Sequence, residues 1–203
     1  AGVRLRKPPV FKRNGVPGSG GPDWLRNDYE FVVCASNGRL PWSANTAMGR
    51  PPKYQSGGSA SNRQKDGSRK RAAKYAKPMV SNPGNVVECK VGGGLMGDRL
   101  CHENEAPFPE ALAAFFVRSF CPPGGVVLDP FTGSGTTAAV AWRWSRRAIG
   151  IDVRGSQIGL TTRRLLAAQD NLQRDTLFSM LPLVKWPASA FDRAAARQDA
   201  PMP

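Results

Sequence analysis

Between residues 126 and 152 the chain alternates short apolar runs and turns in an order that few folds accommodate. Val126-Val127-Leu128 is apolar and ends at Asp129, and a glycine-rich turn, Thr132–Gly135, follows. A stretch with Val140, Ala141 and Trp144 at helical spacing comes next, then a second apolar run, Ala148–Asp152. Strand, turn, helix and strand joined this tightly predict a parallel α/β sheet. The segment Gln157–Leu172, with Ile158, Leu165, Leu166 and Leu172, predicts a further amphipathic helix.

The turn also carries chemistry. Gly133-Ser134-Gly135-Thr136-Thr137-Ala138 fits G-x-G-x-x-A, and Asp152 closes the second strand nineteen residues after Gly133. Glycines let backbone approach a ligand, a helix N-terminus offers free amides, and an acid after the second strand can accept ribose hydroxyls. In that setting the pattern points to an adenosine-containing ligand. No lysine follows the glycines, which argues against a triphosphate loop. Asp129-Pro130-Phe131 precedes them, and its carboxylate would repel a diphosphate but attract an ammonium or sulfonium group. The lead-in therefore favours S-adenosylmethionine over a dinucleotide.

The rest of the chain is organised more loosely. Its 203 residues allow one large domain or one and a half, and 22 glycines with 18 prolines exclude a helical bundle. No run nears the ~18 apolar residues of a membrane span, and no basic-then-apolar leader points to secretion. The four cysteines form no Cys-x-x-Cys pair, and with one histidine, His102, neither a zinc site nor a disulfide framework is expected. A cytoplasmic protein with reduced thiols fits best.

Charge is unevenly spread. Residues 1–100 hold eighteen Lys and Arg against six acids, whereas residues 101–203 hold eleven against nine. Such asymmetry implies that one part of the molecule meets a polyanion, with nucleic acid the first candidate. Seven of the basic residues, Arg63, Lys65, Arg69, Lys70, Arg71, Lys74 and Lys77, fall within Ser59–Lys77, which carries one acid, Asp66. That segment buries too little apolar surface to order alone and is expected to order on a phosphate backbone.

Four zones result. Residues 1–44 hold two strand-like runs: Val3–Lys12, interrupted by Pro8 and Pro9 and so an edge strand at best, and Tyr29–Ala35, apolar enough for a buried strand. Residues 45–100 are basic and glycine-rich, with scarcely a core and largely disordered. Residues 101–175 form the organised α/β unit, opened by a helix with Pro109 in its first turn and Leu112, Phe115, Phe116 and Phe120 at helical spacing. Residues 176–203 read as a loosely ordered tail.

The run Asp129-Pro-Phe-Thr-Gly-Ser-Gly-Thr-Thr137 resembles the cofactor signature of bacterial and phage DNA amino-methyltransferases, which methylate adenine N6 or cytosine N4. His102-Glu-Asn-Glu-Ala-Pro-Phe-Pro109 is similar to the segment preceding that signature in the circularly permuted, beta-type motif order. Trp24–Ala35 resembles a late-sheet strand, and Arg163-Arg164 sits in the helix after the ribose acid. The resemblance covers about residues 1–44 and 86–173, and the stretch between takes the place of the target-recognition segment. It implies an α/β fold: a partial Rossmann-like S-adenosylmethionine-dependent methyltransferase sheet with an irregular basic insertion.

By resemblance, Asp129 faces the methionine amino group of the cofactor, Pro130 and Phe131 are also cofactor-binding, and Gly133, Ser134 and Gly135 touch it through backbone. Thr136 and Thr137 bond its carboxylate, Asp152 holds the ribose, and Asn104, Phe108 and Pro109 line the opposite wall. The partner is double-stranded DNA, bound through the seven basic residues. The family's catalytic tetrapeptide, Asp/Ser/Asn-Pro-Pro-aromatic, is absent: Pro8-Pro9, Pro51-Pro52 and Pro122-Pro123 each lack the flanking residues or the setting. No catalytic residue is therefore assigned. The chain looks like the C-terminal portion of a larger enzyme, completed by an N-terminal part or a complementary chain. Its cofactor strand should then have an unpaired edge. Two other readings stand beside this one: an NAD-dependent Rossmann oxidoreductase, and a non-catalytic DNA-binding module.

Overall fold

The computed structural model describes residues 2–15, 20–54, 56, 59–60, 63–70, 73–74, 76–92 and 96–178, with side chains up to residue 169. The expected tail from residue 179 onward and Arg71 lie outside the described residues. Two compact units result, Ala1–Leu165 and Leu166–Pro203, the second holding the C-terminal part of the last helix. No helix among the described residues is long and apolar enough to cross a membrane.

Nine short strands and three helices make up the described chain: β1 Arg4–Leu5, β2 Val10–Asn14, β3 Tyr29–Phe31, β4 Ala35–Ser36, β5 Ser59–Ala60, β6 Ala73–Lys74, β7 Val86–Lys90, α1 Glu110–Phe120, β8 Val126–Asp129, α2 Thr136–Arg143, β9 Arg147–Gly150 and α3 Gly155–Phe178. A 3-10 turn over Arg99–Glu103 precedes α1, with the Asp98 carboxylate accepting from the Leu100 amide.

One sheet has the order β3-β2-β7 and corrects two expectations. Val10–Asn14 is its centre, not an edge: Pro8 and Pro9 lie just before the ladder, so they remove none of its donors. The run Tyr29–Ala35 is instead split, and β3 is an exposed edge, with Phe31 66% and Val33 79% exposed. Strand β7 falls in the zone that offered scarcely a core, yet its Val87 and Cys89 close over Phe11. It runs parallel to β2, from Val10 opposite Val86 to Asn14 opposite Lys90. Leu112 and Phe115 of α1 pack on this cluster.

The second sheet pairs β8 and β9 in parallel, from Val126 opposite Arg147 to Asp129 opposite Gly150. Helix α2 connects them and buries Ala138–Ala141; Val140 meets Ala113 and Val117 of α1, with Val127 against them. The small residues of α1 are therefore its innermost, while Phe120 is half-exposed. Trp144, expected inward, sits at the helix C-cap with the Arg118 guanidinium 4.0 Å from its ring centre. Among the described residues β8 has a ladder on the β9 side alone. The face of Val126, Leu128 and Ile149 is about half exposed.

Helix α3 also turns a different face inward. Gln157, Leu160, Thr161 and Arg164 are buried, whereas Ile158 is exposed and Leu165 half-buried. These four positions form a stripe at helical spacing that lies beneath the glycine turn.

Candidate functional site

Asp129 ends β8 opposite Gly150, the last residue of β9. Asp152 lies two residues past that end, not within the strand as expected, so both carboxylates stand at one rim, the C-terminal edge where α/β folds bind ligands. Asp129 Oδ1 accepts from the Phe131 amide at 3.0 Å, which bends the chain out of β8 and leaves Phe131 84% exposed. Thr132 then returns its amide to the Ile151 carbonyl, 2.8 Å away, tying the turn to the end of β9. A side chain at Gly150 would stand 2.7 Å from Thr132 Oγ1, so the glycine before Asp152 admits this contact.

Gly133 and Gly135 both take positive φ, +49° and +75°, the left-handed region that costs glycine nothing. The Gly133 amide donates to Asp152 Oδ2 at 3.0 Å, and the Gly135 amide donates to the Thr132 carbonyl at 2.7 Å. Gly135 caps α2, and a Cβ there would meet Thr161 at 2.7 Å. Thr161 Oγ1 in turn donates to the Gly133 carbonyl at 2.9 Å. The turn is thus held from its amide side by Asp152 and from beneath by α3.

Asp152 Oδ1 accepts from the Arg154 amide at 3.0 Å. That bond, with the Gly133 amide and the Arg154 guanidinium, holds the carboxyl below the usual range. Oδ1 also faces the Arg154 guanidinium at 3.7 Å, and Oδ2 keeps a lone pair for a further donor, as a ribose hydroxyl requires.

The opposite wall is the segment before α1. Asn104 lies over the turn: a Cβ at Gly133 would come within 2.8 Å of its Nδ2. Glu103 pairs with Arg163 of α3 at 2.7 Å, and Glu105 with Arg154, just before that helix, at 3.4 Å. Pro109 is buried at the α1 N-cap, one position before the helix, and Phe108 is about one-third exposed. Phe108 and Pro109 border a cavity of ≈ 610 Å³ shared with Phe11, Arg13, Glu30 and His102. Phe108 and Thr137 also border an apolar cleft of ≈ 420 Å³ with Val32, Phe116, Val126 and Val127.

The structure gathers Asn104, Asp129, Phe131, Gly133 and Asp152 at this rim, with Pro130 exposed beside them. Ser134 and Thr136 are each 2% exposed, and their side chains point beneath the turn. There they meet a residue to which the sequence assigned no role. Arg164 donates to the Ser134 carbonyl at 3.1 Å, to Thr136 Oγ1 at 3.0 Å and to Glu110 Oε1 at 2.5 Å. No signal in the sequence marked it, because the buried stripe of Gln157, Leu160, Thr161 and Arg164 is itself mostly polar.

The basic segment lies elsewhere. β5 and β6 pair antiparallel, Ser59 opposite Lys74, and Arg63 bridges to Arg69 around a turn at Gln64–Ser68. Arg63, Lys65, Arg69, Lys70, Lys74 and Lys77 are exposed. Asp66 stabilises the turn by accepting from the Ser68 amide and hydroxyl, at 3.0 and 2.7 Å.

The chain is 34% identical over 99 residues to the type II methyltransferase M.ScaI of Streptomyces caespitosus, a match covering 47% of this chain and 32% of that protein. It is 40% identical over 83 residues to the DNA adenine methyltransferase YhdJ of Escherichia coli (strain K12), covering 41% and 28%. The chain thus spans about a third or less of the curated relatives it matches. In fold it is similar to the cytosine-N4-specific PvuII DNA methyltransferase, with a TM-score of 0.55 at 18% identity over 83% of this chain and 56% of that one. The profile of the DNA methylase family N6_N4_Mtase matches residues 3–162, and the chain belongs to that family.

Proposed function

We propose that this chain is the cofactor-binding and DNA-recognition part of an S-adenosylmethionine-dependent DNA methyltransferase acting on an exocyclic amine, adenine N6 or cytosine N4, of a flipped base. The observation that carries the reading is the Asp152–Gly133 hydrogen bond, which joins a ribose-type acid to a glycine turn at the ends of two parallel strands.

The residues fit the methyl donor. Asp152 Oδ2 has a spare lone pair for the ribose, and Asp129 at the same rim favours a cationic ligand over a diphosphate. Phe131 offers an exposed ring, Asn104, Phe108 and Pro109 form the facing wall, and Gly133, Ser134 and Gly135 keep the turn narrow, with no side chain at 133 or 135 and that of Ser134 buried. Thr137 stands nearer than Thr136 to an open surface, since the Thr136 hydroxyl is bound by Arg164. The cofactor supplies a sulfonium-activated methyl group; this chain's residues hold and orient it.

DNA contact belongs to the basic hairpin, where Arg63, Lys65, Arg69, Lys70, Lys74 and Lys77, with Arg71 beyond the described residues, neutralise phosphates. A separate segment, either an N-terminal part of the same enzyme or a complementary chain, supplies the Pro-Pro tetrapeptide that grips the target base. The one-sided ladder of β8 and the bare Val126–Leu128–Ile149 face support such a partner. The cytoplasm is the compartment this reading implies.

Calorimetric titration with S-adenosylhomocysteine tests the site. The wild type should release heat and Asp152→Ala should not, with NAD giving none on either. Equal heats from both proteins would remove Asp152 from the site, and a response to NAD alone would overturn the proposal.

A further inference from the structure

Arg164 is the largest fully buried side chain among the described residues, 1% exposed. Burying a guanidinium costs several kcal/mol unless it is paired and hydrogen-bonded. A leucine at this position would pack on Leu160 and the underside of the turn without that penalty. The charge therefore calls for an explanation beyond core filling.

Its bonds supply one. The left-handed residues Gly133 and Gly135 turn successive carbonyls downward, away from the rim. Thr161 satisfies the Gly133 carbonyl at 2.9 Å and Arg164 the Ser134 carbonyl at 3.1 Å. Arg164 also fixes Thr136 at the start of α2. Its second amino group reaches Glu110, the first residue of α1, at 2.5 Å, and Glu110 is bridged by Arg143 at the same distance. Burial would raise the Glu110 carboxyl pKa, but hydrogen bonds from Arg143 and Arg164 hold it below the usual range. The fold keeps room for this carboxylate: a Cβ at Gly97, φ +120°, would stand 2.5 Å from Glu110 Cδ. Glu110 directly follows Phe108-Pro109, so the pair joins the facing wall to the glycine turn.

We propose that Arg164 and Glu110 are a positioning pair, which fixes the glycine turn and couples it to the Phe108–Pro109 wall so that the two sides of the cofactor site hold one spacing. The inference rests on the proposed function for its ligand but not for its loop mechanics. Thr161 and Asp152 alone leave the Ser134 carbonyl and the helix start unrestrained, and Arg164 supplies that restraint.

The test is the double substitution Arg164→Met with Glu110→Leu, which replaces a buried pair by apolar groups of similar size. Such replacements are often neutral or stabilising. The charges leave together, but the buried Ser134 carbonyl loses its donor, so the melting temperature should fall by no more than one lost hydrogen bond explains. Amide exchange across residues 132–138 should nevertheless quicken about tenfold in the ligand-free protein, the effect of losing one charge-assisted hydrogen bond. S-adenosylhomocysteine should bind about tenfold more weakly. A merely structural pair would quicken exchange throughout the fold and not across residues 132–138 alone. Wild-type exchange rates in the variant overturn the proposal. Should the double variant fail to fold, Arg164→Lys keeps a charge beside Glu110 but loses the other amino group, which bonds Ser134 and Thr136, and unchanged exchange there overturns it equally. If the wild type takes up no S-adenosylhomocysteine while the variant loop loosens, the positioning pair stands and the proposed function falls.

Discussion

Asp152 and Gly133 meet across the ends of two neighbouring strands, the carboxylate accepting the glycine amide at 3.0 Å. The same carboxylate accepts the Arg154 amide, and these bonds hold its pKa below the ordinary value, the Arg154 amide contributing most. A group with a depressed folded pKa stabilises above its unfolded pKa, about 4 for a carboxyl, and the gain is lost as pH falls through the folded value. Asp152→Asn should therefore melt below wild type by a constant margin above about pH 5, and the margin should shrink on acidification below about pH 4. Melting curves across that range check it. A margin independent of pH down to the acid limit would show that ionised Asp152 does not brace the turn.

The two glycines of the turn should not tolerate substitution equally. Alanine at either meets the left-handed penalty of roughly 1 kcal/mol. At Gly135 the new Cβ also meets Thr161, a buried β-branched residue already bonded to the Gly133 carbonyl, at 2.7 Å. At Gly133 it meets the end of the Asn104 side chain, which can swing away. Gly135→Ala should cost about 2–3 kcal/mol and Gly133→Ala about 1 kcal/mol, read from denaturant midpoints. The reverse order would mean that Thr161 yields more easily than Asn104.

The turn, its flanking strands and both acids were legible in the sequence because they are local: a glycine pattern between apolar runs dictates its own neighbourhood. What escaped was set at a distance. Val86–Lys90 becomes a strand because β2 lies beside it, more than seventy residues earlier in the chain, and nothing in its short alternation marks that partner. Tyr29–Ala35 is apolar enough for a core, but apolarity records what a segment can bury, not whether anything covers it. The inward face of α3 was misassigned because Arg164 looks like a surface residue until Glu110 appears opposite it. A charge on the buried stripe is readable only in company with its counter-charge.

The bare side of the second sheet carries its own prediction. Leu128 is 60% exposed on a strand with one free edge, beside Val126 and Ile149. Such edges promote self-association. Leu128→Lys should leave unfolding free energy within about 0.5 kcal/mol of wild type, as exposed substitutions do, while raising the concentration at which light scattering begins. The same change should hinder assembly with a segment supplying the missing strands, measured as lost methylation on reconstitution. Unchanged scattering would show that this face is not where the protein associates.

The basic hairpin can be separated from a merely solvated charge run by its salt dependence. Arg63 and Arg69 face each other across a bridge, with Lys65 and Lys70 exposed nearby, so like charges crowd without any acid but Asp66 to offset them. That repulsion is relieved when phosphates replace bulk counterions, and each phosphate neutralised steepens the salt dependence of binding by about 0.9 in log K against log salt. Replacing Arg63, Lys65, Arg69 and Lys70 together by alanine should flatten the slope by up to about 3–4 units for a duplex followed by fluorescence anisotropy. Melting should change little, because none of the four is buried. Cofactor binding should be untouched, since none of the four is among the residues at the rim of Asp129 and Asp152. A slope equal to wild type would assign the polyanion contact to another surface, and a loss of cofactor binding would show that the two parts are not separable.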